Sequence, residues 1–395
     1  MIQSTASAEH RLGMPAEHFL RDYWQRKPLL IRGAFADLPC PITPEDLAGL
    51  ACEEYALSRI VIHDATRDRW TLESGPFDES RFASLPERDW TLLVQDVDKW
   101  DADVGSLLDA FAFLPSWRID DIMVSYAVDG GSVGAHVDQY DVFLLQAQGK
   151  RHWRIDTSSN PPTAFRDDAE LRLLSEFNPD HDWLLEPGDM LYLPPGVPHH
   201  GIAEGDCLTF SIGMRAPAVS ELIVDFAESL AEAMPEELRY RDYGMAVADE
   251  PGKIDSYALI RVREALAKIS DLDDASLAEW FPRFITRYRA ANTPAPRPKS
   301  LTATQWQRDR AAGARLNRNP WARLAWTEQD HAATLYACGE AFPCSVAIAR
   351  ELCDRQAVNK IDIATLDAQD AGLVLELINA GMLSLQKLPA SRSPR

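Results

Sequence analysis

Between residues 122 and 212 the chain is cut into short apolar runs by glycine and proline, and this spacing constrains its fold more than any other feature. Runs at 122–126, 142–146, 153–155, 190–193 and 208–212 are separated by turns at Asp129-Gly130-Gly131, Gln148-Gly149 and Pro194-Pro195-Gly196. Short strands punctuated in this way build an antiparallel sandwich or barrel. Runs at 27–33, 59–63, 70–72 and 90–95 continue the pattern upstream. A helical turn is expected over 19–24, and a helix from Thr43, which can cap while Pro44 takes the first helical position. The polar stretch 160–182 lacks this texture and reads as an insertion over the barrel mouth.

The texture changes at Pro217. Ser220 is placed to cap a helix whose apolar positions Leu222, Ile223, Phe226, Leu230 and Met234 recur at three and four residues. A second stripe runs through Leu259, Ile260, Val262, Leu266 and Ile269, and a third helix covers 280–288. Helices appended to a barrel need something to bury against, and a second copy of the chain is the economical answer. Residues 295–320 read as a basic linker, because from Ala295-Pro296-Arg297-Pro298-Lys299 to Arg318 six basic residues stand against one acid, Asp309. Beyond it, strands near 322–326 and 333–336, a hairpin at Cys338-Gly339-Glu340 and helices near 345–353 and 371–380 suggest a winged-helix-like module over 321–395.

Forty Lys/Arg against 61 Asp/Glu give a formal charge of -21, which repels polyanions and attracts a basic partner. The winged-helix-like module has seven Lys/Arg against nine Asp/Glu, no surplus for phosphates, so direct nucleic-acid binding is not expected. The first 13 residues hold no signal-like apolar run. Nowhere do about 18 apolar residues stand together. A cytoplasmic protein without membrane contact is the expectation. Six cysteines without a C-x-x-C pair indicate neither a zinc knuckle nor a redox dithiol.

His136 and Asp138 stand two apart on an expected strand, where side chains at i and i+2 share a face and can grip one ion. A further histidine arrives after the Pro-Pro-Gly turn, either His199 or its neighbour His200, which spacing does not separate. Two imidazoles and a carboxylate without a thiolate suit Fe(II), Mn(II) or Zn(II). The open positions are those a bidentate 2-oxo acid and dioxygen fill, whereas a structural zinc is closed by a fourth side chain. Arg151, past the glycine turn, is placed to hold the far carboxylate of such an acid bidentately, with Ser125 as a helper from an adjacent strand; an exposed turn arginine and a satisfied core hydroxyl are the bland alternatives. Tyr140 and Asp141 flank the metal strand and are candidates to face a substrate, with ordinary surface or packing roles equally open.

The segments 119–125, 134–143 and 186–196, with His199 following, closely resemble the JmjC-type ribosomal oxygenases of the cupin superfamily, most nearly the bacterial members that hydroxylate a ribosomal-protein arginine. The resemblance implies an α+β protein with three parts: a double-stranded β-helix (jelly-roll) core over 1–216, a helical dimerisation region over 217–294, and a winged-helix-like C-terminal domain. It implies Fe(II) on His136, Asp138 and His199, with 2-oxoglutarate held by Arg151 and Ser125 and dioxygen as second cosubstrate. The reaction implied is hydroxylation at Cβ of an arginine in the large-subunit ribosomal protein uL16, a basic partner. Two other readings are the same chemistry on a histidine of another ribosomal protein, and a metal-binding cupin that serves only as an interaction module.

Overall fold

Two long strands, Val142–Ile155 and Pro198–Met214, run antiparallel along nearly their whole length and organise the part of the chain before Pro217. The computed structural model describes residues 2–36, 39–243, 254, 256–267, 274–362 and 365–387, in two units, Met1–Ala216 and Pro217–Arg395. The strands of the first unit are β1 (Gln3–Thr5), β2 (Leu29–Arg32), β3 (Ser58–Asp64), β4 (Arg69–Ser74), β5 (Trp90–Val94), β6 (Ile119–Ala127), β7 (His136–Val137), β8 (Val142–Ile155), β9 (His181–Leu185), β10 (Met190–Leu193) and β11 (Pro198–Met214). They hydrogen-bond in the order β1-β2-β10-β8-β11-β6-β5-β3-β4, with β7 on β11 and β9 on β8. The first half of β8 pairs with β10 and the second half with β9, while β11 pairs first with β7 and later with β6. Strands shared between two layers in this way make the expected jelly roll.

The crossing between layers is made at a bulge. The turn expected at Gln148-Gly149 is not a hairpin, because β8 continues through it and the register against β11 slips between Glu204 and Thr209. Gly149 adopts a φ of +65°, and a Cβ there would lie 2.1 Å from the Asp206 carbonyl oxygen. Only glycine tolerates both the left-handed conformation and the close approach.

Alternation along β8 decides what faces where. Phe143 and Leu145 point into a large core with Phe19 of helix α1 (Ala16–Asp22), whereas Val142 and Leu144 join Leu30, Trp153, Ile155, Leu185, Leu191 and Leu193 in a second buried cluster. The Phe143 and Tyr192 rings lie 4.9 Å apart and Phe19 is fully buried beside them. Helix α2 (Pro44–Ala51) starts as expected, with Thr43 accepting from the Asp46 amide and Pro44 in the first turn. The short helices α3 (Glu79–Ala83), α4 (Val97–Trp100) and α5 (Ala102–Ser106) complete this unit. The 160–182 stretch is irregular up to β9, with one bridge between Phe165 and Leu174.

The second unit opens with α6 (Val219–Ala233), α7 (Ser256–Leu266) and α8 (Asp274–Arg287). Ser220 is not the cap expected for α6. It lies within the helix, and the side chain of Glu221 instead accepts from the Ala218 amide at 2.7 Å. Ile269 lies outside the described residues. The segment expected as a basic linker folds instead: it contains α9 (Ala303–Ala311) and β12 (Ala314–Arg318). Thr302 and Gln305 form a reciprocal capping box that starts α9, and Trp306 is fully buried in the C-terminal core, so apolar burial overrides the proline and charge signals. β13 (Leu324–Gln329), β14 (Ala332–Ala337) and β15 (Glu340–Cys344) form a three-stranded sheet beside α10 (Val346–Cys353) and α11 (Ala368–Asn379), and β16 (Leu383–Lys387) pairs with β12. This is the expected winged-helix-like plan. No described helix is long and apolar enough to cross a membrane.

Candidate metal centre

His136 and Asp138 do not share one continuous strand. β7 ends at Val137, held on β11 by the pairing of His136 with His199, and the chain bends through residues 138–141 before β8 begins. The bend is anchored by Asp141, whose buried carboxylate accepts from Tyr192 Oη at 2.7 Å, Gln25 Nε2 at 2.9 Å and Arg118 Nη2 at 3.2 Å. Of the two roles open to Asp141, facing a substrate or packing, the structure shows packing: the side chain is fully buried three residues after Asp138. The 160–182 stretch braces the start of β7, with Leu173 and Leu174 buried and the Leu174 amide donating to Ala135.

The pairing brings His136, Asp138 and His199 together, with one ligand atom of each lying within 4.8 Å of the others. His199 Nε2 is 3.7 Å and His136 Nε2 4.0 Å from Asp138 Oδ2. Each ring is fixed by its other nitrogen: His136 Nδ1 lies 2.9 Å from the Gly134 carbonyl, and His199 Nδ1 2.9 Å from that of Val197. Carbonyls only accept, so both Nδ1 atoms carry the proton and both Nε2 lone pairs face the carboxylate. Burial, then the neighbouring His136 ring, pushes His199 down to about 4, which keeps its lone pair available at neutral pH. His200 falls on the other side of β11, edge-on to Phe177. The donor set therefore fits a divalent first-row metal with open positions.

Arg151 is 3% exposed, and its Nη1 donates to Ser125 Oγ at 3.1 Å and Thr209 Oγ1 at 3.2 Å. Thr209 in turn donates to Gln146 Oε1 at 3.0 Å, so neutral oxygens surround the guanidinium. Among the described residues Arg151 Nε has no partner and no carboxylate pairs with the guanidinium, and burial lowers the group's pKa. Trp153, two residues along, covers the floor between this cation and the histidines: the guanidinium carbon lies 5.4 Å and the His199 ring 5.9 Å from the indole. Gly201 makes room for it, since a Cβ there would meet the indole at 2.7 Å. Thr209, Gln146 and Trp153 were not picked out from sequence. Nothing local marks them, because the register of β11 against β6 and β8 alone sets Thr209 opposite Ser125 and Gln146.

Asp121 occupies the same face of β6 as Ser125. Burial and the neighbouring charges of Asp96 and Asp120 push its carboxyl up to about 7, against a weaker pull from Lys99. Tyr140 is 41% exposed and lies near both Asp121 and Asp138. Burial and the charges of Asp138 and Asp121 raise its phenol, with Arg59 acting the other way.

Comparison with known proteins gives matches over both parts of the chain. A JmjC domain model matches residues 106–222, and a ROXA-like winged-helix model matches residues 267–384. A probable ribosomal oxygenase of Haemophilus influenzae is 41% identical over 221 residues, spanning 56% of this chain and 54% of that protein. The ribosomal protein uL16 3-hydroxylase of Escherichia coli is 35% identical over 281 residues, spanning 71% of this chain and 74% of that protein. The solved structure of YcfD, a ribosomal oxygenase from Escherichia coli in complex with cobalt and 2-oxoglutarate, superposes with a TM-score of 0.77 at 30% identity, covering 94% of this chain and 98% of that one. The chain belongs to the JmjC-type ribosomal oxygenases.

Proposed function

We propose that this chain is an Fe(II)- and 2-oxoglutarate-dependent dioxygenase that hydroxylates Cβ of an arginine in a large-subunit ribosomal protein, uL16 being the first candidate. The observation that carries the reading is Arg151: a buried guanidinium with no carboxylate among the described residues, one indole away from the three metal-type donors. An uncompensated buried cation costs several kcal/mol unless a ligand supplies the missing charge. Fe(II) would be held by His136, Asp138 and His199, and the distal carboxylate of 2-oxoglutarate by Arg151 with Ser125 and Thr209. When bound, metal and cosubstrate supply oxidative decarboxylation coupled to C–H hydroxylation, consuming dioxygen and releasing succinate and carbon dioxide. The chain's own part is positional. Two backbone carbonyls aim the imidazoles, the Asp141 cluster anchors the bend after Asp138, and the Trp153 indole packs against both Arg151 and His199.

Arginine is favoured over histidine by Asp121 and Tyr140. A carboxyl pushed up to about 7 gains most from a permanent cation, which a guanidinium is and a neutral imidazole is not. Incubating the purified chain with Fe(II), 2-oxoglutarate and each large-subunit ribosomal protein in turn should give succinate and a mass gain of one oxygen on an arginine peptide of one of them. Gain on a histidine peptide instead would redirect the substrate assignment, and no succinate with any protein would leave only the interaction module. The chain should also form a homodimer through the helical region, since Val219, Ile223, Val224, Leu259, Ile260 and Leu266 stand exposed on α6 and α7. A monomeric mass by light scattering would refute this.

A further inference from the structure

The segment read as a linker lines an open cavity. Its residues 297–301 are strapped to the end of α11, where Asn379 accepts from the Arg297 amide at 2.9 Å and, through Oδ1, from the Leu301 amide at 2.6 Å. Between this strap and α9 lies a cavity of about 220 Å³ lined by Arg297, Lys299, Ser300, Gln305, Arg308 and Asp309. Gln305, Arg308 and Asp309 fall on one face of α9 at spacings of three and four.

Three cations and one carboxylate therefore face one space. Among the described residues neither Arg297 nor Lys299 forms an ion pair, and Arg308 Nε is 3.9 Å from Asp309 Oδ1, too long for a hydrogen bond. The first turn of α9 carries no acid, and its capping box uses the neutral Gln305. The positive end of that helix is thus left uncancelled.

The charge is local in a way the whole-chain figure hides. Residues 295–395 hold 13 Lys/Arg against 10 Asp/Glu, whereas residues 1–294 hold 27 against 51. Residues 295–395 are thus the basic part of an acidic sequence, and three of their cations line the cavity.

We propose that this cavity binds a phosphate group, with Arg297, Lys299 and Arg308 as charge partners and the Ser300 hydroxyl as a neutral donor. Either a small phosphate-bearing molecule or the backbone of an RNA strand presents this chemistry. The site is separate from the metal centre and does not depend on the function proposed for it.

The test uses the full-length chain and an Arg297→Ala/Arg308→Ala variant, both side chains being exposed enough to remove without disturbing the core. Inorganic phosphate is titrated calorimetrically at constant ionic strength, and a single-stranded RNA oligonucleotide is titrated at several salt concentrations. Succinate production by the variant is expected to match wild type and serves as the folding control. The inference holds if phosphate saturates one site per chain and binds about tenfold more weakly to the variant. It also holds if RNA binds with a salt slope that the variant reduces by about 0.7 per lost contact. The first result alone assigns a small ligand, the second a polynucleotide. Equal behaviour of wild type and variant in both titrations, or no binding in either, overturns it.

Discussion

Two groups of cations in this chain are built on opposite principles. Arg151 is buried in the jelly roll, gripped by Ser125 and Thr209, and has no acid beside it among the described residues. Arg297, Lys299 and Arg308 are exposed around a cavity of the C-terminal fold. Under the proposed function the buried cation costs the fold stability and returns it as selectivity, because one ligand carboxylate in one orientation would satisfy it. The exposed cations cost the fold little and discriminate little, since water and salt compete at every approach.

The largest expected effect comes from removing the buried charge. Arg151→Met should lower kcat/KM for 2-oxoglutarate at least about a hundredfold, the loss of a charge-assisted, desolvated contact. Yet the apo protein should melt no lower than wild type, because an apolar side chain of similar length replaces an uncompensated guanidinium. Succinate release and thermal unfolding on the same sample check both halves. A large drop in melting temperature would mean that Arg151 is structural, and the contrast with the surface cations would collapse.

Next comes the support of the metal loop. Asp141→Asn removes the charge that Arg118 and Tyr192 hold under the Asp138 bend. Loosening a support of this kind typically costs 10- to 100-fold in metal affinity, so Mn(II) binding should weaken by about 10-fold or more in calorimetry. Unchanged Mn(II) affinity would show that β7 and β11 alone set the donor geometry.

A smaller, pH-dependent effect is expected from Asp121. Its carboxyl is raised from 3.8 to about 7 in the fold, so the folded state holds its proton where the unfolded chain has released it. This group's contribution to stability is therefore greatest below about pH 4, declines as pH rises towards 7 and is level above that. Asp121→Asn should gain on the order of 2 kcal/mol over wild type at pH 8 and nothing at pH 4, as read from denaturant unfolding at the two pH values. Binding of an arginine peptide to wild type should tighten from pH 6 to 8, and the variant should lose that dependence.

What sequence could reveal follows the same division. The jelly roll was legible because alternation and Gly/Pro spacing are local signals, and the H-x-D pair with a histidine after Pro-Pro-Gly pointed, within one neighbour, to the three residues that the fold brings together. Thr209, Gln146 and Trp153 were not legible, since they matter only through a register that β8 and β11 set across more than 50 residues. The bulge at Gly149 looked like a hairpin because a turn glycine and a bulge glycine carry the same signal. The linker was misread for the converse reason. Pro296, Pro298 and six cations outweighed the Thr302–Gln305 cap and buried Trp306, which become decisive only when a core exists to receive the indole.

The smallest expected effect is on stability at the surface cations, and it separates the two principles most sharply. In phosphate-free buffer, Arg297→Ala/Arg308→Ala should change unfolding free energy by no more than about 0.5 kcal/mol, because neither side chain packs a core or closes an ion pair within hydrogen-bond distance. Added phosphate should then raise the melting temperature of wild type and leave the variant behind, since a ligand that binds only the folded state stabilises it in proportion to the logarithm of its occupancy. A cation site with no stability of its own and a ligand-dependent gain is the inverse of Arg151, where the stability cost is present before any ligand arrives. If the double variant instead unfolds readily in plain buffer, the strap over α11 depends on these side chains, and the cations are a clasp of the C-terminal fold, not a port on it.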